Sequence, residues 1–297
     1  MNDEIKKIIS THLGDNILYA DELTIGHSLE KKYVVRTEKR RILARILPFT
    51  SEIATKYNLL MNVGEKMQAV SAPILMFTYG DELIVLFDWI DGITLEDYYK
   101  KTTPIEQIET AIRAGKIIRE FHNLTQTSQK SSIQINAHSL DSFLNTYLRD
   151  DRKEKFQKLI SNIKDIDFEY SLIHYDLRPA NLMIDDTGRI HIIDFEYMTY
   201  YPSFADLTCN LLFSEKYRAF GYGVLYGYFG CKPNEYFWEM QKYLLALELL
   251  RFSENKRNQE KDVNNKLRLV EDFLFTNQLF PDQYNILNDE CEKYLGA

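Results

Sequence analysis

Short runs of β-branched and aliphatic residues dominate the first part of the chain, a pattern typical of strands. A polar turn, Thr37-Glu38-Lys39-Arg40, separates two of these runs, and Tyr79-Gly80-Asp81 separates another two. Residues 52–63 instead repeat apolar positions at helical spacing. The sequence therefore predicts an antiparallel sheet that carries one helix. Its strands are expected at 22–28, 32–37, 41–47, 74–77 and 83–89.

The pattern changes after Asp91-Gly92, where helical periodicity takes over. Thr103-Pro104-Ile105-Glu106 has the form of a capping box with proline at the first helical position, and the helix that it opens is expected to run to His122. Residues 171–197 predict a short β insert, and 205–297 are mostly helical in pattern. The predicted fold is α+β, with a sheet-rich lobe (1–91), a hinge near 88–92 and a large helical lobe (92–297).

Composition excludes some classes of function but does not identify one. The 297 residues carry 36 Lys and Arg against 44 Asp and Glu, a net charge of −8 that argues against a general nucleic-acid binder and allows a cationic partner. The 3 cysteines are widely spaced, so neither a disulfide framework nor a zinc site is indicated. The start of the sequence lacks a signal-peptide core, and no apolar run in the first third is long enough to span a bilayer. We therefore expect a cytoplasmic protein with no membrane and no nucleic-acid partner.

One stretch carries recognisable chemistry. Four residues separate His174-Tyr175-Asp176 from Asn181, and a hairpin that turns at Asp186-Thr187-Gly188 then leads to Asp194. This order matches the kinase template, in which one Asp orients the attacking hydroxyl while an Asn and a second Asp hold Mg²⁺. Mg²⁺ prefers hard oxygen ligands, and a carboxylate is suited to accept the proton of the acceptor hydroxyl. The stretch predicts phosphoryl transfer.

The sequence around this stretch argues against a protein kinase. Asp194 is followed by Phe195-Glu196 rather than Phe-Gly, and no Ala-Pro-Glu occurs downstream. The segment 202–207 follows so soon that no room is left for an activation segment. The acceptor is therefore expected to be a small molecule.

Three segments resemble the aminoglycoside phosphotransferase/choline kinase family, whose members have a protein-kinase-like fold. These are His174–Asn181, Ile193-Asp194-Phe195-Glu196 and Tyr201–Leu207. The resemblance implies ATP and Mg²⁺ as cofactors, bound in the cleft between the lobes. It also implies Asp176 as the catalytic residue and Asn181 with Asp194 as metal ligands, and it places Arg178 where a cation can contact the γ-phosphate.

The resemblance assigns further roles outside the catalytic loop. The backbone at Asp88 and Ile90 corresponds to the hinge that binds adenine. Gly26 and Ser28 correspond to the phosphate-side turn, and Arg45 to the cation that contacts the nucleotide phosphates. Asp206 corresponds to an acid that braces the catalytic loop, and His174 to a residue that holds this loop by hydrogen bonds.

Three positions depart from the family pattern. Arg178 stands where histidine or lysine is more common. Tyr175 replaces a glycine, which is expected to narrow the site or to change its backbone. Lys56 stands where the acidic partner of Arg45 is expected, and Glu52 lies one turn earlier, so either Glu52 serves instead or the alignment shifts by a turn. Four nearby cations are interpreted as a solvated hairpin; they are Lys31, Lys32, Lys39 and Arg40.

The predicted function is that of a small-molecule kinase, which transfers the γ-phosphate of ATP to a hydroxyl of a small cationic acceptor such as an aminoglycoside antibiotic. Acids of the helical region are candidates for holding the acceptor; they are Glu215, Glu235, Glu239, Glu248 and Glu254. Two alternatives stay open. One is a kinase of a macrolide, choline, homoserine or methylthioribose, and the other is a pseudokinase that binds nucleotide without turnover.

Overall fold

The computed structural model describes residues 1–24, 30–128, 133–212, 218–255 and 259–276. The chain forms two compact units. The first contains Met1–Thr94 together with Met183–Asp194, and the second contains Leu95–Leu182 together with the chain from Phe195 onward. The predicted boundary between residues 91 and 92 thus differs from this grouping, because the segment that leads to Asp194 packs with the first unit.

A five-stranded antiparallel sheet in the order β1-β2-β3-β5-β4 forms the centre of the first unit. Helix α2 (Ser51–Gly64) follows the third strand and starts at an N-cap, where the Thr50 side chain accepts a hydrogen bond from the amide of Ile53. The predicted strands at 32–37, 41–47, 74–77 and 83–89 and the predicted helix are confirmed. The strands are β1 (Ile17–Glu22), β2 (Lys31–Thr37), β3 (Arg41–Pro48), β4 (Pro73–Tyr79) and β5 (Glu82–Asp88).

The start of the chain differs from the prediction. Helix α1 (Asp3–Leu13) precedes the sheet, capped by Asn2 at its start and by Gly14 in the left-handed conformation at its end. The first described strand lies at Ile17–Glu22, and residues 25–28 of the strand predicted at 22–28 lie outside the described residues. Ile5 and Ile9 of α1 are buried against one face of the sheet, in a core that includes Tyr33, Val35, Ile42, Ala44, Ile46, Ile84 and Leu86.

A second sheet has three strands, in the order β6 (Gly92–Thr94), β8 (Leu182–Asp185) and β9 (Ile190–Ile192). Gly92 pairs with Asp185 so closely that a Cβ at Gly92 would lie 2.3 Å from the carbonyl oxygen of Ile184. A glycine is therefore required where the chain leaves the hinge. The turn after β8 is fixed by Asp185, whose Oδ1 accepts hydrogen bonds from the amides of Thr187 and Arg189. The hairpin ends two residues before Asp194.

The second unit is mostly helical and contains one two-stranded sheet, in which β7 (Tyr170–Ile173) pairs antiparallel with β10 (Thr199–Pro202). The predicted capping box of Thr103 and Glu106 is confirmed. The helices are α3 (Leu95–Tyr99), α4 (Pro104–Leu124), α5 (Ala137–Tyr147), α6 (Asp150–Asn162), α7 (Ala205–Leu212), α8 (Arg218–Phe229), α9 (Glu235–Glu254) and α10 (Glu260–Phe275).

Helix α4 packs against α8, and α9 packs against α5, α6, α7 and α10. Glycines let α4 and α8 approach closely: a Cβ at Gly115 would lie 2.2 Å from the carbonyl oxygen of Val224. The segment 243–252, predicted as a buried helix, is the second half of α9, and Leu244, Leu247 and Leu250 are all buried there. Within the described part of the chain, no helix combines the length and the apolarity that a bilayer crossing needs.

Candidate active site

The catalytic loop begins where β7 ends, and Asp206 holds its first two residues. The buried Asp206 carboxylate accepts hydrogen bonds from the backbone amides of His174 (2.8 Å) and Tyr175 (2.6 Å). The same carboxylate lies 3.0 Å from Nε2 of His122. Because a buried carboxylate needs such donors, these bonds fix the loop to the start of α7. The bracing role predicted for Asp206 is confirmed.

His174 has the structural role that was predicted. Its side chain is fully buried, and its Nδ1 accepts a hydrogen bond from the amide of Asp176 at 3.2 Å. That bond places the proton of the neutral imidazole on Nε2. The ring also packs against Phe195, with ring centroids 4.8 Å apart. His174 therefore fixes the backbone on which Asp176 stands.

Tyr175 has a backbone conformation that favours glycine. Its φ is 68°, in the left-handed region that strains residues with a Cβ. The phenol hydroxyl donates to Glu248 and accepts a 2.6 Å hydrogen bond from Nη1 of Arg251. Arg251 also lies over the ring of Tyr201, 4.7 Å from its centroid. Contacts with α9 thus hold the side chain of Tyr175.

Asp176, Arg178 and Asn181 lie together, as their predicted roles require. Nδ2 of Asn181 donates to the carbonyl oxygen of Asp176 (2.8 Å) and to its Oδ2 (2.7 Å). Nε of Arg178, with a half-exposed side chain, lies 3.2 Å from the same Oδ2. Both of these side-chain contacts are made by Oδ2, and the other carboxylate oxygen, Oδ1, takes part in neither. The carboxylate is oriented and 29% exposed, as an acceptor-binding group needs to be.

The donor set of the loop fits the predicted Mg²⁺. The hydrogen bonds of Asn181 use its amide nitrogen, so its amide oxygen, the atom that Mg²⁺ prefers, is turned away from Asp176. Asp194 supplies a carboxylate that is 34% exposed. It has a φ of 63°, which Asp tolerates better than most residues. Among the described residues no group of three or more His, Cys, Asp and Glu side chains forms a metal cluster, and the roles of Asn181 and Asp194 as metal ligands stay predictions.

Arg45 lies in a buried charge cluster of the first unit. Its Nη1 is 3.1 Å from Oδ1 of Asp194, and its Nε donates to Oε2 of Glu30 at 2.7 Å. Burial opposes the charge of the guanidinium, but Tyr57, Glu30 and Asp194 favour it, and the pKa of Arg45 is raised. Arg45 therefore stays charged although its side chain is only 5% exposed.

The acidic partner of Arg45 is Glu30, so Glu52 does not serve in that role. Glu52 forms an ion pair with Lys56 one turn along α2, at 3.4 Å, and its side chain is 80% exposed. Helix α2 instead presents Tyr57, which is buried and contributes to the electrostatic field at Arg45. Glu30 directly precedes β2 and does not belong to α2, so the residue spacing of that helix could not have indicated this partner.

The interpretation of Lys32 as part of a solvated hairpin is wrong. Its side chain is 12% exposed, and its Nζ lies 3.8 Å from Oδ2 of Asp194. Lys31, its neighbour on β2, is exposed, as that interpretation expects. Alternation along a strand separates the two lysines onto opposite faces. Lys32 thus joins Glu30, Arg45 and Asp194 in one group, called here the charge cluster.

The remaining predicted nucleotide contacts stay predictions. Gly26 and Ser28 lie outside the described residues. Asp88 ends β5, and Ile90 follows it in the hinge. Both line a cavity of about 710 Å³ in the first unit, together with the end of α2, residues 68–74 and the turn 185–187. No residue of the charge cluster lines this cavity, so we do not assign it to the nucleotide phosphates.

Sequence reasoning missed several residues of these sites. Lys32 was detectable, because the turn at 37–40 fixes a register in which Lys32 lies opposite Arg45. The contacts of Tyr175 with Arg251 join positions that are 76 residues apart, and no local pattern indicates them. The missed residues are Glu30, Lys32, Tyr57, Tyr201 and Arg251.

Comparisons with known proteins agree with this geometry. Residues 23–238 match the profile of the phosphotransferase enzyme family (APH). No curated protein sequence matches the chain significantly.

Solved structures of similar fold include a spectinomycin phosphotransferase in complex with ADP and spectinomycin, at 15% identity and TM-score 0.57 over 97% of this chain and 98% of that one. A choline/ethanolamine kinase family protein from Mesorhizobium loti has 13% identity and TM-score 0.61 over 96% and 98%. The macrolide 2'-phosphotransferase from Brachybacterium faecium has 13% identity and TM-score 0.57 over 90% and 98%. At these identities the likeness shows the fold alone, and it confirms the predicted protein-kinase-like architecture.

The family match extends over most of the chain and includes the catalytic loop, the hairpin and the Asp206 brace. The chain therefore belongs to the phosphotransferase enzyme family, as the sequence motifs indicated, and is a kinase that uses ATP to phosphorylate a hydroxyl group of a small molecule.

Proposed function

We propose that this protein transfers the γ-phosphate of ATP, bound with Mg²⁺, to a hydroxyl of a small cationic acceptor of the aminoglycoside type. The observation that carries the proposal is the orientation of Asp176. Asn181 and Arg178 both engage its Oδ2, while Oδ1 takes part in neither contact. A carboxylate held in this way can orient an acceptor hydroxyl and accept its proton.

Each residue of the loop has a part in this mechanism. Asp176 Oδ1 binds the acceptor hydroxyl and takes its proton as the hydroxyl oxygen forms a bond to the γ-phosphorus. The bond between that phosphorus and the β–γ bridging oxygen breaks, and ADP is the leaving group. Arg178, half-exposed beside Asp176, is placed to donate to the transferred phosphoryl group. Asn181 and Asp194 would hold Mg²⁺, which would neutralise charge on the phosphate oxygens. Asp206 and His174 keep the loop backbone fixed during the reaction.

The acidic character of the chain supports a cationic acceptor. The net charge of −8 attracts cations over a distance. Three of the candidate acids on α9, Glu235, Glu239 and Glu254, are exposed, and Glu248 contacts Tyr175 of the catalytic loop. Glu215 lies outside the described residues.

Arg251 favours a second candidate, a kinase whose acceptor carries a carboxylate, such as homoserine. Glu248, the acid that contacts the loop, already has Arg251 at 3.9 Å, and this guanidinium lies over the ring of Tyr201. A cationic acceptor at this position has to compete with Arg251. An anionic acceptor gains a partner there.

A coupled ADP-release assay with a panel of acceptors tests the proposal and separates the two candidates. The panel contains several aminoglycosides, a macrolide, choline, homoserine and methylthioribose. An acceptor that raises ADP release well above the background identifies the substrate class. If none does while Mg·ATP still raises the melting temperature, the pseudokinase alternative or an acceptor outside the panel is favoured over the proposal.

Two substitutions sharpen the assay. Asp176→Asn is expected to lower kcat by about 10²- to 10⁴-fold with little change in ATP affinity, because it removes the base but keeps the shape. Asp141→Asn, at an exposed position of α5, is the matched control and should leave kcat unchanged. Arg251→Met should lower kcat/KM for an anionic acceptor by about tenfold or more and raise it for a cationic one.

A further inference from the structure

The charge cluster contains an arrangement that the fold alone does not require. Lys32 on β2 and Arg45 on β3 are directly opposite partners in the antiparallel register. Directly opposite like charges destabilise a pair of strands. Both side chains are largely shielded from water, at 12% and 5% exposure. Two buried cations on the same face of a sheet need anions nearby to offset the cost of burying their charges.

Among the described residues, two anions lie beside these cations, and they are unequally placed. Glu30 accepts a hydrogen bond from Nε of Arg45. Asp194 lies near both cations, with Oδ1 at 3.1 Å from Arg45 and Oδ2 at 3.8 Å from Lys32. The Asp194 side chain is 34% exposed, more than either cation. The contact of Lys32 is thus a long ion pair to a carboxylate that is open to solvent.

We infer that Lys32 is a second phosphate-binding cation of the nucleotide site, which acts beside Arg45 on the polyphosphate chain. The inference rests on the proposed function, in which Asp194 is a metal ligand. A carboxylate that is engaged as a ligand no longer compensates two cations. The polyphosphate then supplies the missing negative charge, and the cross-strand pair places two cations side by side to bind it.

A purely structural role for Lys32 makes a different prediction. If Lys32 only neutralises Asp194, its loss changes the stability of the free protein and weakens every ligand of the site equally. If Lys32 binds phosphate, its loss weakens phosphorylated ligands and spares adenosine, which offers no phosphate. The ratio of the two affinities therefore separates the roles without any measurement of turnover.

The experiment measures Kd for ADP and for adenosine, with Mg²⁺ present, by titration calorimetry or by displacement of a fluorescent nucleotide. Lys32→Met is expected to weaken ADP by about tenfold or more and adenosine by less than about twofold, the loss expected for one charge-assisted contact. Lys32→Arg should recover most of the ADP affinity. Lys31→Met is the matched control, because it removes the same charge from an exposed position on the same strand, and it should change neither ligand.

Three outcomes overturn the inference. The first is an unchanged ADP affinity in a folded Lys32→Met protein. The second is an equal loss of affinity for ADP and for adenosine, which would assign Lys32 a structural role. If Lys32→Met does not fold, Lys32→Gln provides the same comparison with a polar side chain. A wild-type protein that binds ADP no better than adenosine removes the phosphate site altogether, and with it the proposed function. The first two results leave the proposed function standing.

Discussion

At the scale of single residues, Tyr175 replaces the glycine of the family pattern and makes contacts that this pattern does not suggest. Its backbone keeps a left-handed φ of 68°, although a tyrosine costs about 1–2 kcal/mol more than glycine there. The hydroxyl offsets part of that cost through its contacts with Glu248 and Arg251 on α9. The substitution for glycine therefore connects the catalytic loop to the helix that carries the candidate acceptor acids.

Removal of that hydroxyl tests the connection. Tyr175→Phe should lower the free energy of unfolding by about 1–3 kcal/mol, because Glu248 loses a donor and Arg251 loses an acceptor in a largely buried place. Urea denaturation monitored by circular dichroism measures the difference. Tyr19→Phe, at a residue that is 50% exposed on β1, is the control and should change stability by less than about 0.5 kcal/mol. Equal behaviour of the two variants would contradict the assigned contacts.

Glu248 gives a pH dependence whose sign follows from its burial. Burial raises the pKa of Glu248 above its ordinary value of 4.5, although Tyr175, Arg251 and Lys266 act in the opposite direction. The native state therefore holds this proton to a higher pH than the unfolded state does. Its contribution to stability is greatest below pH 4.5 and is lost as the pH rises through the raised pKa.

The comparison of wild type with Glu248→Gln isolates this effect. As the pH rises from 4 to 7, wild type should lose stability relative to the variant, since glutamine does not titrate. Chemical denaturation at a series of pH values measures the two curves. Glu254→Gln, exposed on the same helix, should run parallel to wild type. Parallel curves for Glu248→Gln would show that the native pKa of this carboxyl is not raised.

At the scale of elements, close packing of α4 against α8 holds the second unit together. Gly115, Gly223 and Gly227 lie where the two helices touch, and at each a Cβ would come within 2.5 Å of an atom of the other helix. At Gly115 and Gly227 that atom is a backbone carbonyl oxygen, which cannot move without the helix. The helices approach at these glycines because nothing larger fits.

A methyl group at this contact should be costly. Gly115→Ala is expected to lower the free energy of unfolding by about 1–3 kcal/mol, since overpacking against backbone outweighs the gain in helix propensity. Lys116→Ala, at the next and exposed position of α4, is the matched control. Urea titration of both variants gives the comparison. A Gly115→Ala protein as stable as wild type would mean that the helices separate easily.

At the scale of the whole molecule, binding of nucleotide should appear as added stability, because a ligand that binds only the native state shifts the unfolding equilibrium. With ADP and Mg²⁺ at about 100 times Kd, the unfolding free energy should rise by about 2.7 kcal/mol. Asp194→Asn should lose most of this increment at the same ligand concentrations, because it weakens the charge cluster that we assign to the nucleotide site. Asp141→Asn, at an exposed position of α5, should keep the increment.

The increment, rather than the absolute stability, is the quantity to compare. Asp194→Asn also leaves Lys32 and Arg45 with less negative charge in the free protein, so its stability without ligand is expected to fall as well. Chemical denaturation with and without ligand gives both values for each variant. An increment of wild-type size in Asp194→Asn would remove Asp194 from the nucleotide site.

The sequence by itself determined the fold class, most of the elements and the catalytic loop. Runs of β-branched and aliphatic residues between polar turns placed β2 to β5, the capping box placed the start of α4, and the order of Asp176, Asn181 and Asp194 indicated the chemistry. These signals are local: each depends on a backbone period, on a cap or on a short fixed spacing. Helix α1 was missed although Asn2 and Gly14 mark its two ends.

Only the tertiary structure decided which side chains meet across long separations. Glu30 rather than Glu52 binds Arg45, Lys32 is shielded beside Asp194, and Arg251 reaches Tyr175. In each case the sequence offers several carboxylates or cations of the same chemistry, and burial decides which of them form a pair. A sequence shows which charges are available, but the free energy of pairing depends on distance and on exclusion of water, and both are set when the elements pack.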